Sequence, residues 1–447
     1  MTTRTRHRPG RRRAAALLGV AAVVGLVAAC ATGVPAGPDL PLATADAARQ
    51  VVAASDADAT PDVVDATERL GLTLLDSAPR EGNVVVSPAS AVVALSMLAE
   101  GAHGETAASL DAALGASGQD RTDAVNALLA ALQAYDGDPA LVQRDELPRK
   151  PLVHVANQVV LDDQAQVHDT YLESLATGYG AGVLHTDLGT ASGIAPLSDW
   201  VRFHTGGLIE KSAIEPDADL RLVLQNAVLF AARWEAPFDE GETRPSPFVL
   251  PAGLSTGLPT DEEVDVESLW LTESWAYAEH DGWRGVRLPY VDGFHADVVL
   301  PPEGTDPATI TPARTAALRE ALDAATPQRV ALTMPTLDVP VERATDLRPA
   351  LAAAGLGGLF DRVDPPDLGG ISDEDLYVSQ AKQQAMLQVD AEGTVAAAVT
   401  EIGAQAMSSE VEVLPLTFRV DRPYLFSVSH TETGWQLFTA AIRDPRH

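Results

Sequence analysis

Residues 389–423 read VDAEGTVAAAVTEIGAQAMSSEVEVLPLTFRVDRP. One glycine, Gly393, is followed by small and β-branched residues: Thr394, Val395, Ala396, Ala397, Ala398, Val399 and Thr400. An irregular segment holding Met407-Ser408 comes next, then alternating Val411, Val413, Leu414, Leu416, Phe418 and Val420, spaced as in a β-strand. A connection this long without its own periodicity is uncommon inside a compact domain and usually serves function when it occurs. The rest of the chain is read around it.

Before it, residues 376–389 read as a strand, 346–354 as a helix, 329–334 as a strand and 307–325 as a helix. Several β-like runs fill 266–300. The stretch Leu220–Phe230 is apolar apart from Asn226, Gln225 and Arg221, which suggests a strand buried on both faces with a polar group in need of a partner. Helices are expected at 194–203 and 169–178, and a strand at 152–161. Asn83 to Pro88 reads as a short strand running into a helix, with Ser87 as N-cap and Pro88 at the first helical position. Gly101 ends that helix and 104–116 forms another. Beyond the loop, Tyr424–His430 and Trp435–Arg443 give two closing strands. Helices cluster early and strands late, without regular βαβ alternation, so the expected class is α+β in one domain over 61–447.

The chain has 447 residues, 46% hydrophobic and 21% charged, with a formal net charge of −32. So acidic a surface argues against nucleic acid or heparin-like partners. The first 29 residues carry Arg4, Arg6, Arg8, Arg11, Arg12 and Arg13 and no acid; residues 14–29 are apolar. That apolar run is short of the about 20 residues a spanning helix needs and suits a signal peptide over 1–29. Val27-Ala28-Ala29-Cys30 matches the lipobox of bacterial lipoproteins, so Cys30 is the expected lipidation site; ordinary cleavage nearby and an uncleaved anchor are the alternatives. Residues 30–60, rich in Ala, Pro and Asp, read as a tether with a short helix near 43–54. Cys30 is the single cysteine, so an internal disulfide or a multi-cysteine metal site is ruled out.

No nucleophile elbow, zinc-protease helix, P-loop or dinucleotide-binding glycine pattern occurs. The ten histidines are scattered singly. His280-Asp281 reads as a surface pair, Ser372 to Asp375 as a solvated acidic loop, and Trp270, Trp275 and Trp283 as core. Nothing supports a hydrolase, a metal or a cofactor.

Motifs in order from one end of the domain to the other carry a family pattern. They are Asn83 to Ser90 with Leu95, Met97 and Gly101 to Thr106; then Trp200-Val201, Thr205, Gly207 and Ile209; then Leu224, Asn226-Ala227, Phe230, Trp234 and Pro237-Phe238. Leu288 to Tyr290 and Leu300-Pro301 continue it, followed by Gly393-Thr394 with Ala396 to Ala398. Arg422 to Phe426, Thr433-Gly434, Leu437-Phe438 and Asp444-Pro445 close it. Together these resemble the serpins, inhibitors of serine proteases.

The resemblance implies helices packed on a large central sheet with smaller sheets, and a reactive loop at about 391–416. It implies a monomer without cofactor whose partners are serine proteases. The protease forms an acyl-enzyme on the loop, and the cut loop then inserts as a new strand. It makes Gly393 to Thr400 the hinge and inserting strand, Ser87, Ser90, Asn226 and Gln383 the shutter, and Trp234 the breach. Counting the family's usual loop length from Gly393 puts the reactive bond at Met407-Ser408, which suits elastase-, chymotrypsin- or subtilisin-like pockets. Gln383 replaces the usual shutter histidine and is expected to bond Asn226 or Ser87. Ala391 replaces a frequent glutamate, and Val395 a frequent charge. Secretion and tethering at Cys30, with no other membrane contact, complete the expectation. A non-inhibitory serpin-fold binding or scaffold protein, with the alanine run helical, is the alternative.

Overall fold

The computed structural model describes residues 49–446 apart from 145, 239–242, 254–259, 341–343 and 395–413. After a 3-10 turn at Ala54–Asp56 comes α1 (Thr60–Ser77), with Pro61 in its first turn and an inward face of Val63, Thr67, Leu70 and Leu74. Strand β1 (Val84–Val86) runs into α2 (Pro88–Ala99), where the Ser87 hydroxyl caps Ser90 N. Almost every side chain of α2 is buried, as in a helix enclosed on all sides. Then follow α3 (Gly104–Leu114), α4 (Gly118–Leu132), β2 (Leu152–Asp162), α5 (Asp169–Tyr179), β3 (Gly182–Thr186), α6 (Ala195–His204) and β4 (Leu222–Arg233).

Four strands come next: β5 (Arg244–Leu250), β6 (Glu262–His280), β7 (Trp283–Pro289) and β8 (Phe294–Leu300). The expected helix at 307–325 is a 3-10 turn at Pro307–Thr309 and then α7 (Pro312–Ala324). Short strands β9 (Gln328–Pro335), β10 (Leu337–Val339) and β11 (Thr345–Asp346) precede α8 (Arg348–Leu351). The helix expected over 346–354 passes from α8 into a π-turn at Ala352–Leu356, with Gly355 at φ 89°. The chain ends through β12 (Lys382–Gln383), β13 (Leu387–Val389), β14 (Gly393–Thr394), β15 (Leu416–Arg419), β16 (Tyr424–His430) and β17 (Gln436–Ile442).

The class is α+β. A six-stranded sheet runs β10-β13-β14-β4-β2-β3; a nine-stranded sheet runs β1-β17-β16-β8-β7-β6-β9-β15, with β5 on β6. One large core joins α1 and α2 to both sheets. Trp275 and Trp283 are core, as expected, whereas Trp270 is half-buried. His280 and Asp281 are exposed at a turn.

Two expectations need correction, for one reason. Residues 376–389 do not form one strand: only β12 and β13 are extended into ladders, and 384–386 are not. Nor is β4 buried on both faces in its first half, where Leu222, Leu224, Asn226 and Val228 are half-buried between fully buried neighbours. Among the described residues nothing pairs with the edge of β4 that faces 376–389, except at Ala232 and Arg233. A ladder needs a partner, and a side chain beside an unpaired edge stays reachable by solvent.

Candidate functional site

That unpaired edge borders an opening. Between β4 and residues 382–387 lies a cavity of about 150 Å3, lined by Leu224 to Phe230 on one side and Lys382 to Leu387 on the other, with Ser87, Ser90 and Thr394 also on its wall. A second cavity of about 540 Å3 continues along Asp219 to Leu224 and Glu374 to Lys382, against Leu95 and Leu98 of α2. The opening is long and narrow, with the edge of a strand on one side.

Its head is occupied by β14. Thr394 pairs with Ala232 of β4 and with Val389 of β13. A tight turn leads there: Asp390 Oδ1 accepts from Glu392 N at 2.9 Å and Gly393 N at 3.0 Å. Gly393 does not take a positive φ. Its requirement is space. A Cβ there would sit 2.0 Å from Ala232 O, so the backbone reaches β4 only without a side chain.

Thr394 is 2% exposed, and its hydroxyl bonds the Tyr290 hydroxyl. Burial pushes the Tyr290 phenol far above its ordinary range, so that group stays protonated. Tyr290 stacks on Trp234 with ring centroids 4.2 Å apart. Trp234 in turn donates from Nε1 to Asp390 O at 3.0 Å and from its backbone N to Glu392 O at 2.8 Å. Trp234 therefore stands at the mouth of the opening, holding the turn before β14. Ala391, in the turn before β14, has its methyl buried.

Farther down, Gln383 grips Ser87 in both directions. Gln383 Oε1 accepts from Ser87 N at 3.0 Å, and Nε2 donates to Ser87 O at 2.9 Å. The Ser87 hydroxyl donates to Leu437 O at 2.7 Å. Of the two partners expected for Gln383, the structure gives Ser87. Asn226 instead donates to Asn157 Oδ1 at 2.7 Å, across the β2–β4 pair. Its own Oδ1 is buried without a hydrogen-bond partner. Ser90 is half-buried on the cavity wall. Sequence reading did not single out Asp390 or Asn157; Asp390, three residues before a glycine expected to turn the chain, was within its reach.

Gln383→Leu is expected to leave Ser87 N–H buried without an acceptor, while Ser87 O keeps Ala91 N. The expected loss is about 1–3 kcal/mol in urea unfolding; an unchanged midpoint would refute this role for Gln383.

Met407, Ser408, Val395, Ala396, Ala397, Ala398, Val399 and Thr400 lie outside the described residues, as does Cys30. Among the described residues, no group of three or more His, Cys, Asp or Glu could hold a metal ion, and no helix is long and apolar enough to cross a membrane.

Comparison with known proteins agrees with this architecture. Among similar proteins, Iripin-2 of Ixodes ricinus is 29% identical over 384 residues, covering 84% of this chain and 92% of its own. Glia-derived nexin of Mus musculus is 28% identical, with 83% and 90% covered. A protein of Cyanea capillata named serine protease inhibitor is 27% identical, with 82% and 93% covered. Among solved structures, the native thermophilic serpin tengpin superimposes with a TM-score of 0.69 at 22% identity, covering 86% of this chain and 94% of tengpin. Serpin48 of Tenebrio molitor gives 0.66 at 24%, with 86% and 98% covered. The family model described as "Serpin (serine protease inhibitor)" matches residues 65–445, and the chain therefore belongs to the serpins, a family of protease inhibitors and not of enzymes.

Proposed function

We propose that this serpin inhibits extracellular serine proteases as a suicide substrate, with Met407-Ser408 as its reactive bond. The observation that carries this reading is the opening beside β4 with β14 seated at its head. The protease's serine oxygen attacks the Met407 carbonyl, the Met407–Ser408 bond breaks, and the Ser408 amine leaves with a proton. Met407 is then held as an ester. The freed segment is drawn into the opening, taking the enzyme with it before water can complete hydrolysis.

The register of β14 supports this. Extended downward, it sets Ala396 beside Phe230 and Leu387, Ala398 beside Val228 and Ala385, and Thr400 beside Asn226 and Gln383. All four residues from Thr394 to Thr400 that share its inward face are small and uncharged, as a narrow lane requires. The Thr400 hydroxyl would arrive where Asn226 Oδ1 lacks a donor. A dozen new ladder bonds at about 0.5–1.5 kcal/mol each supply on the order of 10 kcal/mol.

Met407 suits an elastase-, chymotrypsin- or subtilisin-like pocket, whereas a pocket with a buried acid wants Arg or Lys. The arginine-rich start, apolar 14–29 and Cys30 support export and a bacterial-type lipid tether as the protein's location. Incubation with elastase, chymotrypsin and subtilisin is expected to give an SDS-resistant complex with at least one of them. Mass spectrometry of the denatured products should find a fragment beginning at Ser408. Complete cleavage with no such complex by any of the three would overturn inhibition and favour the non-inhibitory reading.

A further inference from the structure

Histidines that stand singly in the sequence meet on the other face of the six-stranded sheet. His154 of β2 has Nδ1 2.6 Å from Asp136 Oδ1 and Nε2 2.8 Å from Nδ1 of His204. The two imidazoles lie within 4° of parallel, with centroids 5.1 Å apart. His204 is the last residue of α6, and its ring packs on Trp200 and Phe203 with centroids at 4.4 and 5.0 Å.

One proton order satisfies all three groups. His154 donates from Nδ1 to the carboxylate, and its bare Nε2 accepts from His204 Nδ1–H. A first added proton is tolerated: His154 then donates from both nitrogens, and His204 accepts with Nδ1 in its other tautomer. A second leaves two N–H groups facing each other, and the link between α6 and β2 breaks.

What this link holds lies over the opening. Val201 of α6 and Thr205, Leu208, Ile209 and Ile214 after it line the cavity beside β4. Other side-chain ties of the segment are Gln143 Nε2 to Gly206 O at 2.7 Å, Ser212 N to Ser198 Oγ at 3.1 Å and a 3.4 Å bond from Gln225 to Ser212, with Glu215 just beyond it held by Gln380 in both directions. We propose that Asp136, His154 and His204 form an acid-released latch, which holds the end of α6 and residues 205–214 against the sheet at neutral pH and frees them in acid. Its consequence, faster loop insertion in acid surroundings, rests on the inhibitory reading; the latch itself does not.

The groups acting on His204 are His154 from β2 and Asp136 from the chain just after α4. Asp199 and Arg202 of α6 pair with each other, and Arg233 at the far end of β4 is spent on Leu147 O. Burial, then His154, lowers His204 from its ordinary 6.5 to about 4, against the pull of Asp136. A folded-state value below the free one means that the stabilisation is whole above about 6.5 and fades as pH falls through about 4.

Amide hydrogen exchange on the full chain at pH 7.0 and 4.5, corrected for intrinsic rates, tests this. Protection of residues 205–214 should fall about tenfold or more in acid, relative to amides of β16 and β17. That reference is needed because burial also lowers the values of His295 and His430, so global stability drops as well. His204→Phe keeps the ring packing and should abolish the difference; His154→Gln should do the same if the first variant folds poorly. Equal loss at 205–214 and in β16 and β17, or an acid response unchanged in either folded variant, overturns the latch. Failure to trap any protease while the exchange pattern holds would overturn the inhibitory reading alone.

Discussion

Thr394→Arg should turn this protein from an inhibitor into a substrate. Thr394 is 2% exposed, bonded to Tyr290 and already paired with Ala232. An arginine there puts a guanidinium where a methyl and a hydroxyl now fit, between Tyr290 and the edge of β4. Breaking into such a site with an unmatched charge costs several kcal/mol, against about 0.5–1.5 kcal/mol gained from each ladder bond at the start of insertion. Every 1.36 kcal/mol of barrier slows a step about tenfold, so insertion loses its race with hydrolysis. The SDS-resistant complex is expected to fall by at least about tenfold, with cleavage after Met407 undiminished because the bait is untouched. Thr394→Ser, which keeps the hydroxyl, should retain the complex. Undiminished complex in the arginine variant would refute insertion at β14.

Cleavage alone should raise the melting temperature. Once cut near residue 407, the loop is free to complete the ladder between β4 and residues 382–389, a gain on the order of 10 kcal/mol. Unfolding entropy is about 2.1 cal/mol/K per residue, so over a domain of this size the gain corresponds to a rise of about 10 °C or more. Calorimetry of intact and nicked protein measures it directly, and nicked Thr394→Arg should show little of the rise. If nicked wild-type protein melts no higher than intact, the segment does not insert and the proposed mechanism fails. The same completion should order residues 384–386 and bury Leu222, Leu224 and Val228, which are half-buried in the intact form.

Local features were legible in the chain because their causes are local. Ser87 and Pro88 announce a helix start by chemistry confined to one turn, and α2 begins there. The extent of 169–178 and 194–203 could be read from spacing, and α5 and α6 follow within a residue or so. The strand expected over 376–389 failed because extended propensity does not guarantee a neighbour; a ladder is a property of two chain segments. Gly393 stands out in the chain as a lone glycine before small residues, but its close approach to Ala232 O exists only after β14 has docked on β4.

Side-chain partners were the least legible part. Asn226 was seen to need one, but Asn157 becomes that partner only through the register of β2 on β4. His154 and His204 are 50 residues apart, on a strand and a helix, and neither position alone has any unusual context.

Composition and motif order thus determined the acidic surface, the α+β class and the serpin family, because those depend on which residues occur and in what succession. Tertiary structure alone decided that, among the described residues, β4 has an edge paired only at its end, that Gln383 holds Ser87 while Asn226 turns to Asn157, and that two distant imidazoles meet at hydrogen-bond distance. Each of those depends on through-space distance, and hydrogen bonds and steric contacts act over a few ångströms of space however many residues of chain lie between.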